Sequence, residues 1–144
     1  VNDGAVALMV GSKKAGEKAG AKPLVRIISS ASAGARPDIM GIGPVAASKK
    51  ALARIGLSIK DMDIIEINEA FASVPVAACR ELGLSEDIVN VNGGACALGH
   101  PIGASGARIL VTLLHALQAR GKKKGMATLC IGGGEATAMA VELI

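Results

Sequence analysis

Along its 144 residues the chain alternates short apolar runs with segments of helical period, a pattern that few folds other than a layered α/β domain satisfy. VALMV (residues 6–10) and PLVRIISSASA predict strands, and SKKAGEKAG, with Ser12 as N-cap, predicts a short helix between them. GPVAASKKALARIGL predicts an amphipathic helix ended by Gly56, and DIIEIN predicts a short buried strand. EAFASVPVAACRELG predicts a helix ended by Gly83, which Pro75 should kink or restart. A strand DIVNVN, a long loop GGACALGHPIG and a helix from about Ala104 to Arg120 follow. Two closing strands, KGMATLCIG and EATAMAVELI, form a hairpin around Gly132, Gly133 and Gly134.

Composition narrows the function classes. With 51% apolar and 19% charged residues the chain can bury one real core. Its apolar windows are interrupted by Gly, Arg or Gln before they reach membrane-spanning length. VNDGAVALMVGSKK has no basic n-region and no cleavage site, so the expected setting is cytoplasmic and reducing, with no membrane partner. Cys79, Cys96 and Cys130 are odd in number, widely spaced and free of any CxxC pair, which predicts neither a disulfide frame nor a metal site. The net charge of +4 is scattered, and Phe71 is the single aromatic residue, so base stacking is not on offer and no nucleic-acid partner is expected.

Three constellations stand where a strand hands over to a loop or helix. In Asn68-Glu69-Ala70-Phe71, Asn68 is either a helix N-cap or a functional amide. In Gly99-His100-Pro101-Ile102-Gly103-Ala104-Ser105-Gly106, Pro101 biases His100 away from helical angles and the glycines admit a ligand or backbone, so His100 should point into a cleft. In Cys130-Ile131-Gly132-Gly133-Gly134 a thiol stands at the mouth of three glycines, more than a turn requires. His115 serves as a control: with Arg108 and Thr112 it falls on the polar side of its helix and should be solvated. Cys79 should be a small packed hydrophobe, whereas Cys96 shares the loop of His100 and could line a site without reacting. Gly41-Ile42-Gly43-Pro44-Val45-Ala46 resembles a dinucleotide fingerprint superficially, but no strand leads directly into it.

An Asn, a His and a Cys at loop ends suit covalent or carbanion chemistry on a carbonyl. A Cys near a His can be a nucleophile or, as thiolate, a base, and a His and an Asn can position donors around a developing oxyanion. Spacing alone does not assign these roles.

NEAF at 68–71, NVNGGACALGHPIGASGARI at 90–109 and CIGGG at 130–134, with MGIGPVAASKKAL at 40–52, resemble the C-terminal half of a thiolase of the acetyl-CoA acetyltransferase type. The resemblance implies a βαβαβαββ domain, a mixed five-stranded sheet with helices on both faces, paired with a similar N-terminal half. It places residues 1–22 at the end of that half, with its last strand and a short helix, and residues 23–144 in the C-terminal domain. It implies that His100 activates an upstream acyl-accepting cysteine and, with a water held by Asn68, forms the oxyanion hole for an enolate. Cys130 is then the acid/base at the α-carbon, and the Gly132 N–H contributes to a second oxyanion hole for the acyl thioester. Acetyl-CoA and acetoacetyl-CoA are the implied substrates, with no metal or further cofactor, in a homodimer or homotetramer. The acyl-accepting cysteine and the CoA-binding loop are not in this sequence, so the isolated chain is expected to be inactive. The alternatives are a ketoacyl-synthase relative, which usually carries a second histidine where this chain has Asn68, and a non-catalytic assembly domain.

Overall fold

A computed structural model describes residues 1–144. Its elements are α1 (Lys13–Lys18), β1 (Val25–Gly34), α2 (Gly43–Ala53), β2 (Ile64–Ile67), α3 (Ser73–Leu82), α4 (Ala95–Leu98), α5 (Ser105–Ala119), β3 (Lys124–Cys130) and β4 (Glu135–Leu143). The sheet order is β1-β4-β3-β2; β4 runs antiparallel to both its neighbours, and β2 runs parallel to β3. Helices cover both faces. Ala47, Ala51 and Leu52 of α2 and Val74 and Ala78 of α3 pack on one side with Ile65, Ile67, Met126 and Cys130. Ile109, Leu113 and Leu117 of α5 pack on the other with Ile64, Ala127 and Val141. No helix is long and apolar enough to cross a membrane.

Small residues make the core possible without aromatics. The buried face of α2 reads Gly43, Pro44, Ala47, Ser48, Ala51 and Leu52, and it meets Ala31, Ala136, Ala138 and Ala140 of β1 and β4. Helix and sheet therefore approach closely, and dispersion contacts accrue from proximity rather than from large side chains. On the opposite face a Cβ at Gly125 would lie 2.7 Å from Leu113 Cδ1 and 3.1 Å from the Ile64 carbonyl oxygen, so glycine is what lets α5 seat on β3. Phe71, the single aromatic residue, is 61% exposed.

Several expectations from the sequence need correction. The sheet has four strands, not five. DIVNVN contributes one parallel bridge, Val89 to Ile65, and then Asn90 turns away at φ +47°. The Asn90 side chain takes over the ladder: its Oδ1 accepts from the Ile67 N–H at 2.8 Å and its Nδ2 donates to the Ile67 carbonyl at 2.9 Å. An amide side chain has satisfied the edge that a fifth strand would have satisfied. VALMV is not a strand; it has no paired neighbour, and Met9 is 95% and Val10 75% exposed. Helix α3 starts at Ser73 with Ala72 as N-cap, so Pro75 sits in the first turn, where its missing N–H costs no hydrogen bond, and makes no kink. Elsewhere Ser12 caps α1 by accepting from the Ala15 N–H, and Gly83 ends α3 in the left-handed conformation.

Strand β2 is buried along its whole length, including Glu66 at 1% exposure. Desolvation pushes the Glu66 carboxyl up to about 7, against the opposing pull of Arg108 and aided by the charge of Glu69. A carboxyl with a raised folded pKa gives its full stability below its unfolded pKa and loses it as pH rises through the folded value. Between pH 5 and 7.5 the wild-type chain should therefore lose stability relative to Glu66→Gln, by about 2 kcal/mol for a move from 4.5 to about 7. Urea melts of both proteins at the two pH values measure this, and parallel pH profiles would refute it.

Candidate active site

The parallel pairing of β2 with β3 sets Ile67 opposite Thr128, and the Asn68 N–H continues the ladder by donating to the Thr128 carbonyl at 3.0 Å. Asn68 and Cys130 thus emerge at the C-terminal ends of neighbouring parallel strands, where α/β sheets commonly place ligands. Because α5 leads directly into the start of β3 and packs along it, the N-terminus of α5 returns to this same end. His100 lies five residues before Ser105, the first residue of α5.

Two side chains of the first turns of α5 reach the candidate residues. Ser105 Oγ lies 2.6 Å from His100 Nδ1, and Arg108 Nη2 lies 3.5 Å from Asn68 Oδ1. Arginine can only donate, so the carbonyl end of the Asn68 amide faces Arg108. The other end, Nδ2, is then a donor with no partner within the chain, in a side chain that is 0% exposed. Asn68 lies four residues before the α3 N-cap, Ala72, so it does not cap that helix. His100 is half-buried, and its Nε2 has no hydrogen-bond partner in the chain.

Cys130 is near in register but differently placed. Strand alternation puts Asn68 on the α5 face with Glu66, whereas Cys130 shares the α2 face with Met126 and Ile67. The thiol is 6% exposed and makes no hydrogen bond to His100 or Asn68. Burial raises its pKa above the ordinary thiol value, so the protonated form prevails near neutrality.

Beyond Cys130, the three glycines have three different circumstances. Gly134 has φ +99°, and a Cβ there would strike the Ala35 carbonyl oxygen, so the turn itself requires glycine. The nearest neighbour of a Cβ at Gly133 would be the exposed carboxylate of Glu135, at 2.6 Å. At Gly132 a Cβ would meet nothing within 4 Å, the backbone does not need positive φ, and the N–H makes no hydrogen bond in the chain. The fold gives no reason for glycine at 132.

Other contacts were invisible to sequence reasoning. Glu69 Oε1 accepts from Asn90 Nδ2 at 3.0 Å and Oε2 accepts from the Cys96 N–H at 2.8 Å, which ties the NEAF turn to the glycine loop. A Cβ at Gly94 would lie 2.5 Å from the Glu69 carboxyl carbon, so that tie needs the glycine. Asn2 crowds Gly99 and Gly4 crowds Pro101, which lays the start of the chain against the His100 loop. Arg108, grouped by spacing with the solvated face of α5, has Nε and Nη1 buried instead, whereas His115 is exposed as expected. The available signal was Glu66 within the apolar run IIEIN: a charge in a buried strand needs a cation nearby. Cys79 is part-buried in α3, and Cys96 is exposed with its pKa raised by the neighbouring Glu69 carboxylate. No three His, Cys, Asp or Glu residues form a metal-ligand cluster.

Residues 21–143 match the family described as thiolase, C-terminal domain. The chain is 56% identical to an acetyl-CoA acetyltransferase of Syntrophomonas wolfei, over 100% of this chain and 37% of that protein. It is 59% identical to the acetyl-CoA acetyltransferase of Escherichia coli and 54% identical to the cytosolic form of Mus musculus, over 99% of this chain and 36% of each relative. The crystal structure of the Bacillus anthracis acetyl-CoA acetyltransferase superposes with a TM-score of 0.89 at 47% identity, covering 92% of this chain and 34% of that one. The chain thus spans little more than a third of the length of the relatives it matches. The family match over residues 21–143 and the backbone shared with these enzymes place the chain in the thiolase family, as its C-terminal domain.

Proposed function

We propose that this domain supplies His100, Asn68, Cys130 and Gly132 to acetyl-CoA C-acetyl transfer, the condensation of two acetyl-CoA to acetoacetyl-CoA or the reverse thiolysis. The acyl-accepting cysteine then comes from an N-terminal half of similar fold, to which residues 1–22 belong, while residues 23–144 form the C-terminal domain. The proposed assembly is a cytoplasmic homodimer or homotetramer, and coenzyme A thioesters are its substrates with no further cofactor. The observation that carries this reading is the Asn68 amide, buried, turned by Arg108 and left with an unpaired donor at the site. A water accepting from Nδ2 keeps both its own protons for an oxyanion.

The steps follow from proton balance. His100 Nε2 takes the proton of the acyl-accepting thiol, whose sulfur attacks the thioester carbonyl and expels CoA thiolate. That thiolate takes the proton of Cys130. The Cys130 thiolate removes the α-proton of the second acetyl-CoA, while the enolate oxygen rests on protonated Nε2 and the Asn68-held water. The enolate carbon attacks the acyl thioester, whose oxygen is held by the free Gly132 N–H and the N–H of the acylated cysteine, and the thiolate leaves. Burial of Cys130 makes its ionisation costly, and preorganised donors, each worth roughly 10²- to 10³-fold, offset that cost.

Three outcomes are expected. The 144-residue chain alone should neither cleave acetoacetyl-CoA nor form it, and activity should require addition of an N-terminal half; robust turnover by the chain alone would refute the placement of the nucleophile. In the full-length enzyme, Asn68→Asp should reduce turnover by at least about 10²-fold, because a carboxylate repels the enolate and offers no N–H; steady-state kinetics of the variant measure this, and wild-type rates would remove Asn68 from the site. Cys130→Ser should slow exchange of acetyl methyl protons with deuterated water by roughly 10²- to 10⁴-fold while sparing single-turnover acetylation. Lost acetylation with intact exchange would make Cys130 the nucleophile.

A further inference from the structure

We propose that Ser105 is the positioning residue that sets the tautomer of His100, holding the proton on Nδ1 and leaving the Nε2 lone pair toward the site; the consequence for catalysis rests on the reading of His100 as the base. Ser105 is 0% exposed, and its Oγ lies 2.6 Å from His100 Nδ1 and 3.0 Å from the Pro101 carbonyl oxygen. A hydroxyl has one proton, and a carbonyl can only accept. When Ser105 donates to Pro101, its lone pairs are what His100 meets, and Nδ1 must bring the hydrogen. Pro101 O also gathers the N–H groups of Ala104 and Ser105, each at 2.8 Å, so the loop holds the serine backbone in place as well as its side chain.

The choice of a hydroxyl has chemical content. A carboxylate at Nδ1 would favour the imidazolium and slow return of the proton. A neutral acceptor fixes the ring and tautomer without adding charge. Once Nε2 is protonated, the same Nδ1–H···Oγ bond persists, so His100 passes from base to oxyanion donor with no rearrangement around it. The spacing that accomplishes this is local: Pro101 holds His100 out of the helix, and Ser105 opens α5 and bonds back to the carbonyl four residues earlier.

The test is long-range ¹H–¹⁵N correlation on the full-length protein carrying this chain, labelled with ¹⁵N-histidine, above the histidine titration range. His100 is identified by its loss in His100→Gln, and the exposed His115 serves as a reference for a ring free of protein bonds. Wild-type His100 should show the Nδ1–H pattern. Ser105→Ala should convert it toward the pattern of His115 and lower turnover by about 10- to 100-fold. An Nε2–H pattern in the wild type would overturn the proposal without need of any variant, and an unchanged Nδ1–H pattern in Ser105→Ala would overturn it as well. Acyl transfer undiminished in His100→Gln would instead defeat the reading of His100 as base, a result independent of which nitrogen carries the proton.

Discussion

The site depends on one backbone alignment. With Ile67 opposite Thr128 in parallel strands, Asn68 and Cys130 must end at the same edge of the sheet, and the helix that links back to β3 must start there. Parallel pairs are stable only when both faces are covered, and here every residue of β2 is buried. A slip of one residue would turn Asn68 to the α2 side and Ile67 into the position of the amide. Asn90 guards that register: its side chain bonds both polar groups of the Ile67 backbone, and its Nδ2 also reaches Glu69. The asparagine that ends the would-be fifth strand thereby locks the strand that carries the site.

Around that alignment lie several buried polar atoms without partners in the chain. Glu66 Oε1, Asn68 Nδ2 and two nitrogens of Arg108 lack protein partners. Buried groups of this kind ordinarily cost stability. All four lie within one strand end and one helix turn, around the Asn68 amide. The raised pKa of Glu66 has the same origin, since desolvation there outweighs the attraction of Arg108.

Much of the fold was legible in the sequence, because most elements follow from periodicity: α2, β1, β2, α5, β3 and β4 fall where apolar spacing puts them, and α1 follows its Ser12 cap. The failures share a cause. DIVNVN and VALMV have strand composition, yet a strand exists only through a partner, and a composition cannot say whether an asparagine side chain will take the partner's place or whether a partner is there at all. Among the candidate site residues, His100, Asn68 and Cys130 stand out in the sequence by their place at strand and loop ends. Ser105 and Arg108 do not, because their placement comes from which helix turn faces which strand end, a relation that spacing along the chain does not encode. Serine at a helix start reads as a cap, and arginine on a helix reads as solvated; only the third dimension turns one toward His100 and the other toward Asn68.

The pleat adds a last constraint on any chemistry at this edge. Asn68 issues from the α5 face and Cys130 from the α2 face of adjacent strands, one register step apart. An enolate has its oxygen and its nucleophilic carbon at opposite ends of a planar three-atom unit. A site that holds the oxygen with one group and exchanges a proton at the carbon with another must therefore separate the two groups while keeping both on the substrate. Two residues on one face of a sheet would compete for the same side of that plane. Residues from opposite faces, at the ends of neighbouring strands, address the two ends of such a unit from two sides, and Gly132, with neither a packing nor a conformational need for its identity, leaves the backbone beside Cys130 open. The division of the site between two faces of one sheet is thus a direct consequence of strand alternation applied at a strand end.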